Sequence, residues 1–174
     1  MRFGSEPVET RVLNAVQAGV GADPRVLAAA RGMSHFGEHA LGWIGIGAVG
    51  ALLDRPRRRR WAGVAVGAVG AHAASIVIKR VVRRPRPDDQ SVQVNVSTPS
   101  KLSFPSSHAT STAAAAVLAG ELTGLPLPAV LVPPMLLSRL VLGVHYPTDV
   151  LAGAALGAAS AAMVRAVERK LEES

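Results

Sequence analysis

Three short blocks of basic, hydroxyl and imidazole side chains could together carry out phosphoryl transfer. Such a reaction needs positive charge around the three equatorial phosphate oxygens, a nucleophile in line, and an acid for the leaving oxygen. The three blocks contain Lys79 and Arg86, then Ser106, Ser107 and His108, then Arg139, His145 and Asp149.

The positive charge is expected from Lys79, Arg86 and Arg139, and an arginine can fork onto two phosphate oxygens at once. Ser106 and Ser107 stand at the start of a predicted helix. Their N–H groups and the helix dipole would form an anion site. These five residues are therefore the predicted phosphate ligands.

His145 is the candidate nucleophile, since a neutral imidazole nitrogen can attack phosphorus. Asp149 follows one helical turn later, and Pro147 suits a first helical position. A carboxylate there can accept the proton of the other ring nitrogen and stabilise the cation that forms. The spacing predicts a histidine–aspartate pair at the start of a helix.

Apolar stretches rich in Ala, Gly, Val and Leu must position these blocks. They cover 39–53, 61–78, 109–120, 127–137 and 150–164, each shorter than the ~20 residues that a perpendicular span needs. Residues 7–22 and 24–36 are predicted to be amphipathic helices on the membrane surface. We expect Pro133 and Pro134 to bend the fourth stretch, and residues 92–96 to form a short strand or an extended lid.

The expected fold is therefore an all-α, polytopic membrane bundle of about five transmembrane helices in one domain, 1–174. Interfacial helices would occupy 1–38, the helical core 39–166 and a tail 167–174. Aromatic residues make up only 3% of the chain, and small residues allow close packing of helices in lipid. The Gly63/Gly67 and Gly153/Gly157 pairs have the spacing for such packing.

The chain has no cysteine, which excludes disulfides and thiolate sites, and a net charge of +7. Arginines at the ends of apolar stretches indicate anchoring at phospholipid headgroups, with no nucleic acid partner. Helix alternation puts all three blocks on one membrane face. Without Lys79, Arg86 and Arg139, each face carries eight Lys or Arg residues, so charge does not decide which side the site faces.

The blocks read Lys-x6-Arg-Pro, Pro-Ser-x-His and Ser-Arg-x5-His-x3-Asp across residues 79–149. This pattern resembles the type-2 phosphatidic acid phosphatase superfamily, which shares it with vanadium haloperoxidases. Ser107 departs from the usual glycine. The resemblance implies that His145 forms a phosphohistidine oriented by Asp149, and that His108 acts as general acid and then as base. No metal or other cofactor is implied.

The chain resembles the actinobacterial decaprenylphosphoryl-5-phosphoribose phosphatases in its length and in its amino-acid sequence at residues 83–88 and 105–110. This implies a multi-pass protein of the bacterial cytoplasmic membrane that hydrolyses a polyprenyl-phosphate-linked 5-phosphoribose in cell-wall arabinan synthesis. Alternative substrates are phosphatidic acid, phosphatidylglycerol phosphate and polyprenyl diphosphate. A non-catalytic lipid-binding or transport protein and a vanadate-dependent haloperoxidase are further alternatives. The oligomeric state is left open.

Other polar residues have simpler interpretations. Arg80, Arg83 and Arg84 are expected to be anchors whose charged ends reach the headgroups. His72 is expected to be a buried packing residue. His35, Glu38 and His39 fit a zinc-binding pattern, but no third ligand follows and Gly37 weakens the helix. We expect these three residues to lie near the headgroups instead.

Overall fold

In a computed structural model, the described residues 8–173 form a bundle of α-helices without any β-strand. The helices are α1 Val8–Ala18, α2 Pro24–Gly37, α3 Leu41–Leu53, α4 Arg58–Val82, α5 Ser107–Thr123, α6 Leu127–Val141 and α7 Pro147–Glu172. Short 3₁₀ turns at Val20–Ala22, Glu38–Ala40 and Arg55–Arg57 join the first four. The all-α class predicted from the sequence is confirmed.

Helix α5 is the centre of the bundle, and most of its residues are buried. It packs against α4, α6 and α7. A Cβ added at Gly157 would lie 2.2 Å from the Thr110 carbonyl oxygen, and one at Gly153 would lie 2.7 Å from that of Ser106. The backbones of α5 and α7 therefore touch at these glycines, as the pair's spacing predicted.

Three segments are long and apolar enough to cross a membrane: Pro24–Leu53, Arg55–Val82 and Pro147–Leu171. Helix α6 is a shorter apolar helix. The apolar stretches in α4 and α7 were expected to be too short for a perpendicular span, but the helices themselves are longer, with 25 and 26 residues. Their polar ends continue the helix, because arginine, lysine and glutamate are good helix formers. Residues 58–60 are thus helical instead of a loop, and α7 runs through most of the expected tail.

Helices α2 and α3 are separated by a sharp break. His39 and Ala40 have φ values of 50° and 60°, in the left-handed region that side chains with a Cβ rarely adopt. The interfacial position assigned to residues 1–38 stays a prediction, and residues 1–7 lie outside the described part of the chain. Residues 92–96 form no strand; the Asn95 N–H donates to the Leu142 carbonyl at 3.0 Å, which holds this loop on the turn after α6.

Candidate active site

A cavity of about 370 Å³ opens where the ends of α2, α4, α5 and α6 meet the loop from Val96 to Leu102. Six of the eight residues predicted to form the site line it. We call these six the phosphate wall: Lys79, Arg86, Ser107, His108, Arg139 and His145. The other two, Ser106 and Asp149, are fully buried behind it.

The two ring nitrogens of His145 have different neighbours. Nε2 lies 3.2 Å from Nη1 of Arg86, and an arginine nitrogen can only donate, so Nε2 accepts and the ring proton belongs on Nδ1. Nδ1 faces Oδ2 of Asp149 at 3.6 Å, just beyond hydrogen-bond distance, and has no other partner among the described residues. Burial, together with the positive charges of Arg139, Arg86 and Lys79, holds the pKa of His145 well below its ordinary value. The imidazole is therefore neutral, and its Nε2 lone pair accepts a hydrogen bond from Arg86.

Asp149, at the start of α7, has three neighbours around its carboxylate. Its Oδ2 accepts the Tyr146 N–H at 2.8 Å, which caps the helix, and the same oxygen faces His145. Its Oδ1 accepts a hydrogen bond from Arg84 at 2.9 Å. Arg84 was expected to be a membrane anchor, and that expectation is wrong, because its guanidinium turns inward to this carboxylate.

The three cations are fixed by carbonyl and hydroxyl oxygens. Lys79 donates to the carbonyls of Ser103 and Pro105. Arg86 donates to the Ser100 carbonyl at 2.8 Å and to that of Val144 at 2.7 Å. Burial lowers the pKa of Arg86 to about 10, with Asp149 opposing the shift, so it stays charged at neutral pH.

Arg139 is 1% exposed, and its Nη1 donates to the Ser34 hydroxyl at 2.8 Å. Its Nε is buried with no hydrogen-bond partner among the described residues. A buried guanidinium with an unpaired N–H is unfavourable unless a further acceptor binds there. An anion in the cavity would supply that acceptor.

At the N-terminus of α5, the N–H of Ser106 was expected to bind phosphate, but it is already engaged. Its hydroxyl caps the helix by accepting from the Ala109 N–H, and its own N–H donates to the Asp149 carbonyl at 3.0 Å. Ser106 therefore joins α5 to α7 and has no free N–H for phosphate. The N–H groups of Ser107 and His108, the first two of the helix, precede any intrahelical bond and remain for an anion.

His108 is held by helix α2. Its Nε2 lies 2.9 Å from the Ser34 carbonyl, which can only accept, so this nitrogen carries a proton. A Cβ added at Gly37 would come within 2.6 Å of the His108 ring. Sequence reasoning missed Ser34 and Gly37. The available signal was that the buried residues of α2, Ala30, Ser34 and Gly37, are small and spaced to share one helix face.

Beside the phosphate wall, four further side chains line the cavity. We call them the outer wall: His35, Glu38, His39 and His72. Helix α2 ends between His35 and His39, so these histidines lack the helical spacing of a zinc pair. Within residues 8–173 no three His, Cys, Asp or Glu side chains gather to hold a metal ion. His72 was expected to pack in the core; it is instead half-buried at the cavity, 6.0 Å from the His39 ring.

Residues 60–172 match the model of the PAP2 superfamily. The chain is 62% identical over 145 residues to the decaprenylphosphoryl-5-phosphoribose phosphatase of Mycolicibacterium smegmatis, covering 83% of this chain and 81% of that protein. It is 57% identical over 159 residues to the enzyme of the same name from Mycobacterium tuberculosis, covering 91% of this chain and 90% of the relative.

The fold also resembles a crystal structure, that of the first transmembrane PAP2 type phosphatidylglycerolphosphate phosphatase from Bacillus subtilis. The TM-score is 0.73 at 24% identity, over 95% of this chain and 89% of the other. At this identity the likeness concerns the fold alone. With the family match, the two close relatives and three apolar segments of membrane-spanning length, this chain belongs to the PAP2 superfamily and is a membrane phosphatase.

Proposed function

We propose that this chain removes the 5-phosphate from a polyprenyl-phosphate-linked phosphoribose, through a phosphohistidine on His145. The observation that carries the proposal is the environment of that ring. Its Nε2 lies 3.2 Å from Nη1 of Arg86, and its Nδ1 lies 3.6 Å from Oδ2 of Asp149. A nucleophile, its orienting carboxylate and the cations for phosphate thus lie within one site.

In the first half-reaction, phosphate oxygens bind Lys79, Arg86 and Arg139 and the first N–H groups of α5. Arg86 then transfers its hydrogen bond from His145 to phosphate. Nε2 of His145 attacks phosphorus as the ester P–O bond breaks. His108 enters this step as an imidazolium, a charged form that the bound phosphate dianion favours. It gives the proton on Nδ1 to the departing oxygen and keeps the Nε2 proton on the Ser34 carbonyl. Asp149 stabilises the positive charge that develops on the imidazole.

In the second half-reaction, His108 is the neutral imidazole, and its Nδ1 acts as base. It takes a proton from a water that attacks phosphorus, and the P–N bond breaks. Inorganic phosphate leaves, and both histidines return to their starting states. Vanadate should inhibit this reaction, because its five-coordinate adduct resembles the transition state.

The sugar part of the substrate is supported by the two relatives and by the shape of the site. Both relatives are named for decaprenylphosphoryl-5-phosphoribose. The cavity has more room than one phosphate group needs, and its outer wall offers imidazole and carboxylate groups to hydroxyls. A pentose between the two walls would use these groups, whereas phosphatidic acid would leave them without polar partners.

The cellular setting follows from the same relatives. We infer a multi-pass, single-domain protein of a bacterial cytoplasmic membrane, with α1 at the lipid surface. The polyprenyl chain would stay in the bilayer while the phosphorylated sugar enters the cavity from the side.

A substrate panel tests the proposal. Phosphate release is measured in detergent micelles from a polyprenylphosphoryl-5-phosphoribose, phosphatidic acid, phosphatidylglycerol phosphate and a polyprenyl diphosphate, with His145→Ala as control. We expect the highest kcat/KM for the phosphoribose lipid and vanadate inhibition. A preference for another lipid would contradict the substrate assignment, and turnover by His145→Ala would contradict the nucleophile.

A further inference from the structure

Arg84 lies outside the cavity but makes polar contacts with residues at the start of α7, next to His145. Its guanidinium donates to Oδ1 of Asp149 at 2.9 Å and to the Thr148 hydroxyl at 2.7 Å. It also stacks over the Tyr146 ring at 4.3 Å, a cation–π distance. Arg84 is absent from the cavity lining, so it cannot act as a phosphate ligand and must act through Asp149.

The bond from Arg84 gives the two oxygens of Asp149 separate tasks. Oδ1 is occupied by Arg84, and Oδ2 is left to the Tyr146 N–H and to His145. A carboxylate buried this completely needs a compensating charge, because an unpaired one is strongly unfavourable. Arg84 supplies that charge and fixes the rotation of the carboxyl group about its Cβ–Cγ bond.

Arg84 is itself held in place by Glu9, which lies near the start of α1. One of its oxygens accepts from Arg84, and the other accepts from the Thr148 hydroxyl at 2.6 Å and the Thr148 N–H at 3.2 Å. Burial opposes ionisation of Glu9, but the hydrogen bonds from Thr148 and Arg84 outweigh it, so its pKa lies below the ordinary value. A charged Glu9 thus joins α1 to both Arg84 and the start of α7.

We propose that Arg84 is a positioning residue for the proposed nucleophile: held by Glu9, it orients Asp149 toward His145 and makes helix α1 part of the catalytic apparatus. This inference rests on the proposed role of His145. Since Arg84 touches neither phosphate nor the rest of the cavity, its loss should slow the chemical step and leave substrate binding nearly unchanged.

The test compares Arg84→Gln, Arg84→Lys and Glu9→Gln with the full-length chain in micelles. The measurements are kcat, KM and the single-turnover rate of acid-labile phosphoenzyme formation, with thermal melting to follow folding. We expect Arg84→Gln to lower kcat and the phosphorylation rate about 10- to 100-fold, with KM changed less than about 3-fold. Arg84→Lys should restore part of the loss, because it keeps the charge but not the forked geometry.

Glu9→Gln should lower kcat less, about 3- to 10-fold, because Gln can still accept from Thr148 but has lost its charge. The double variant Arg84→Gln/Glu9→Gln should lose no more than Arg84→Gln alone, since both residues act through one contact. Glu121→Gln is the matched control: it breaks the exposed pair between Glu121 and Arg165, far from the site, and should leave kcat unchanged.

Full kcat in folded Arg84→Gln, a raised KM with unchanged kcat, or the same loss in Glu121→Gln would overturn the positioning role. If Arg84→Gln fails to fold, Arg84→Lys and Glu9→Gln decide by the same criteria. Failure of the proposed function is a separate outcome: wild type would then form no acid-labile phosphoenzyme.

Discussion

The two walls of the cavity are built in contrasting ways. In the phosphate wall, His145 and Arg139 are almost inaccessible, and hydrogen bonds to carbonyls hold Lys79 and Arg86. In the outer wall, His35, Glu38 and His39 are exposed and lie at the break between α2 and α3. The first wall is preorganised, while the second is open to solvent and makes few internal contacts.

The contrast suggests a division of labour within one cavity. Preorganised charge stabilises a transition state because no reorganisation is needed during the reaction. Exposed imidazoles contribute instead through ordinary hydrogen bonds to a bound ligand, which are individually weak. Substitutions in the phosphate wall should therefore change kcat strongly, and substitutions in the outer wall should change KM weakly and only for some substrates.

The largest effect is expected from His145→Asn, which removes the nucleophile. We expect phosphate release to fall at least about 10³-fold and phosphoenzyme to disappear. His35→Ala is the matched change in the outer wall, and it should lower kcat by less than about 10-fold. Equal losses in the two variants, measured as kcat in micelles, would contradict the division between the walls.

Next comes Arg86→Gln, which removes a phosphate ligand and a positive charge beside His145. We expect an activity loss of about 10²-fold. The pKa of His145 lies below its ordinary value partly because of this charge, so neutral imidazole persists into mild acid. Losing the charge raises that pKa, and the acid limb of the single-turnover rate should move to higher pH.

The pH profiles of the single-turnover rate for wild type and Arg86→Gln are each normalised to their own maximum before they are compared. The rates are measured at subsaturating lipid, where the profile reports the free enzyme and free substrate. The free substrate phosphate titrates identically with both proteins, so the difference between the profiles reports the enzyme. An unchanged or lowered acid limb in Arg86→Gln would show that this guanidinium does not set the protonation of His145.

A smaller effect should follow from Gly37→Ala, where α2 touches the phosphate wall. The added methyl group would press on the His108 ring, and misplacing a catalytic group by a fraction of an ångström is expected to lower kcat about 10-fold. Gly32→Ala is the control on the same helix, because nothing lies within 4 Å of its Cβ position. Equal kcat values for the two variants would mean that α2 does not position His108.

The smallest effects are expected in the outer wall. His39→Ala and His72→Ala should each raise KM about 2- to 10-fold for the phosphoribose lipid, as expected for one lost hydrogen bond. They should leave KM for a polyprenyl diphosphate within error, since that lipid has no sugar. An equal rise in KM for both substrates would show that the outer wall does not bind the pentose.

The parts of the site that could be predicted from the sequence are those whose spacing is local. His145 and Asp149 are one helical turn apart, and Ser106 and His108 stand at a helix start. Any fold that forms those helices brings each local pair together. The membrane bundle was predictable for the same reason, because apolar stretches of helical length leave few other arrangements.

The contacts that were missed join residues far apart in the chain. Ser34 meets Arg139 across 105 positions, and Glu9 meets Thr148 across 139. Their residue types gave little warning, because a serine in a helix or a glutamate near a terminus usually faces solvent. Arg84 was misinterpreted because an arginine after a membrane helix is usually an anchor. Only the packing of α1 and α2 against the bundle reveals these partners.

The burial of α5 has a consequence for how this sequence can change over time. Ala113 to Ala116 are almost fully enclosed by neighbouring helices, whereas Leu52, Val81 and Leu151 are well exposed on the outside of the bundle. Enlarging a residue on α5 must displace a neighbour that carries part of the site. Exchanging one aliphatic residue for another on the outer faces only alters contacts with lipid. In a mutational scan scored by phosphatase activity, tolerated changes should concentrate on α3, α4 and α7, and positions 113–116 of α5 should accept almost none larger than alanine.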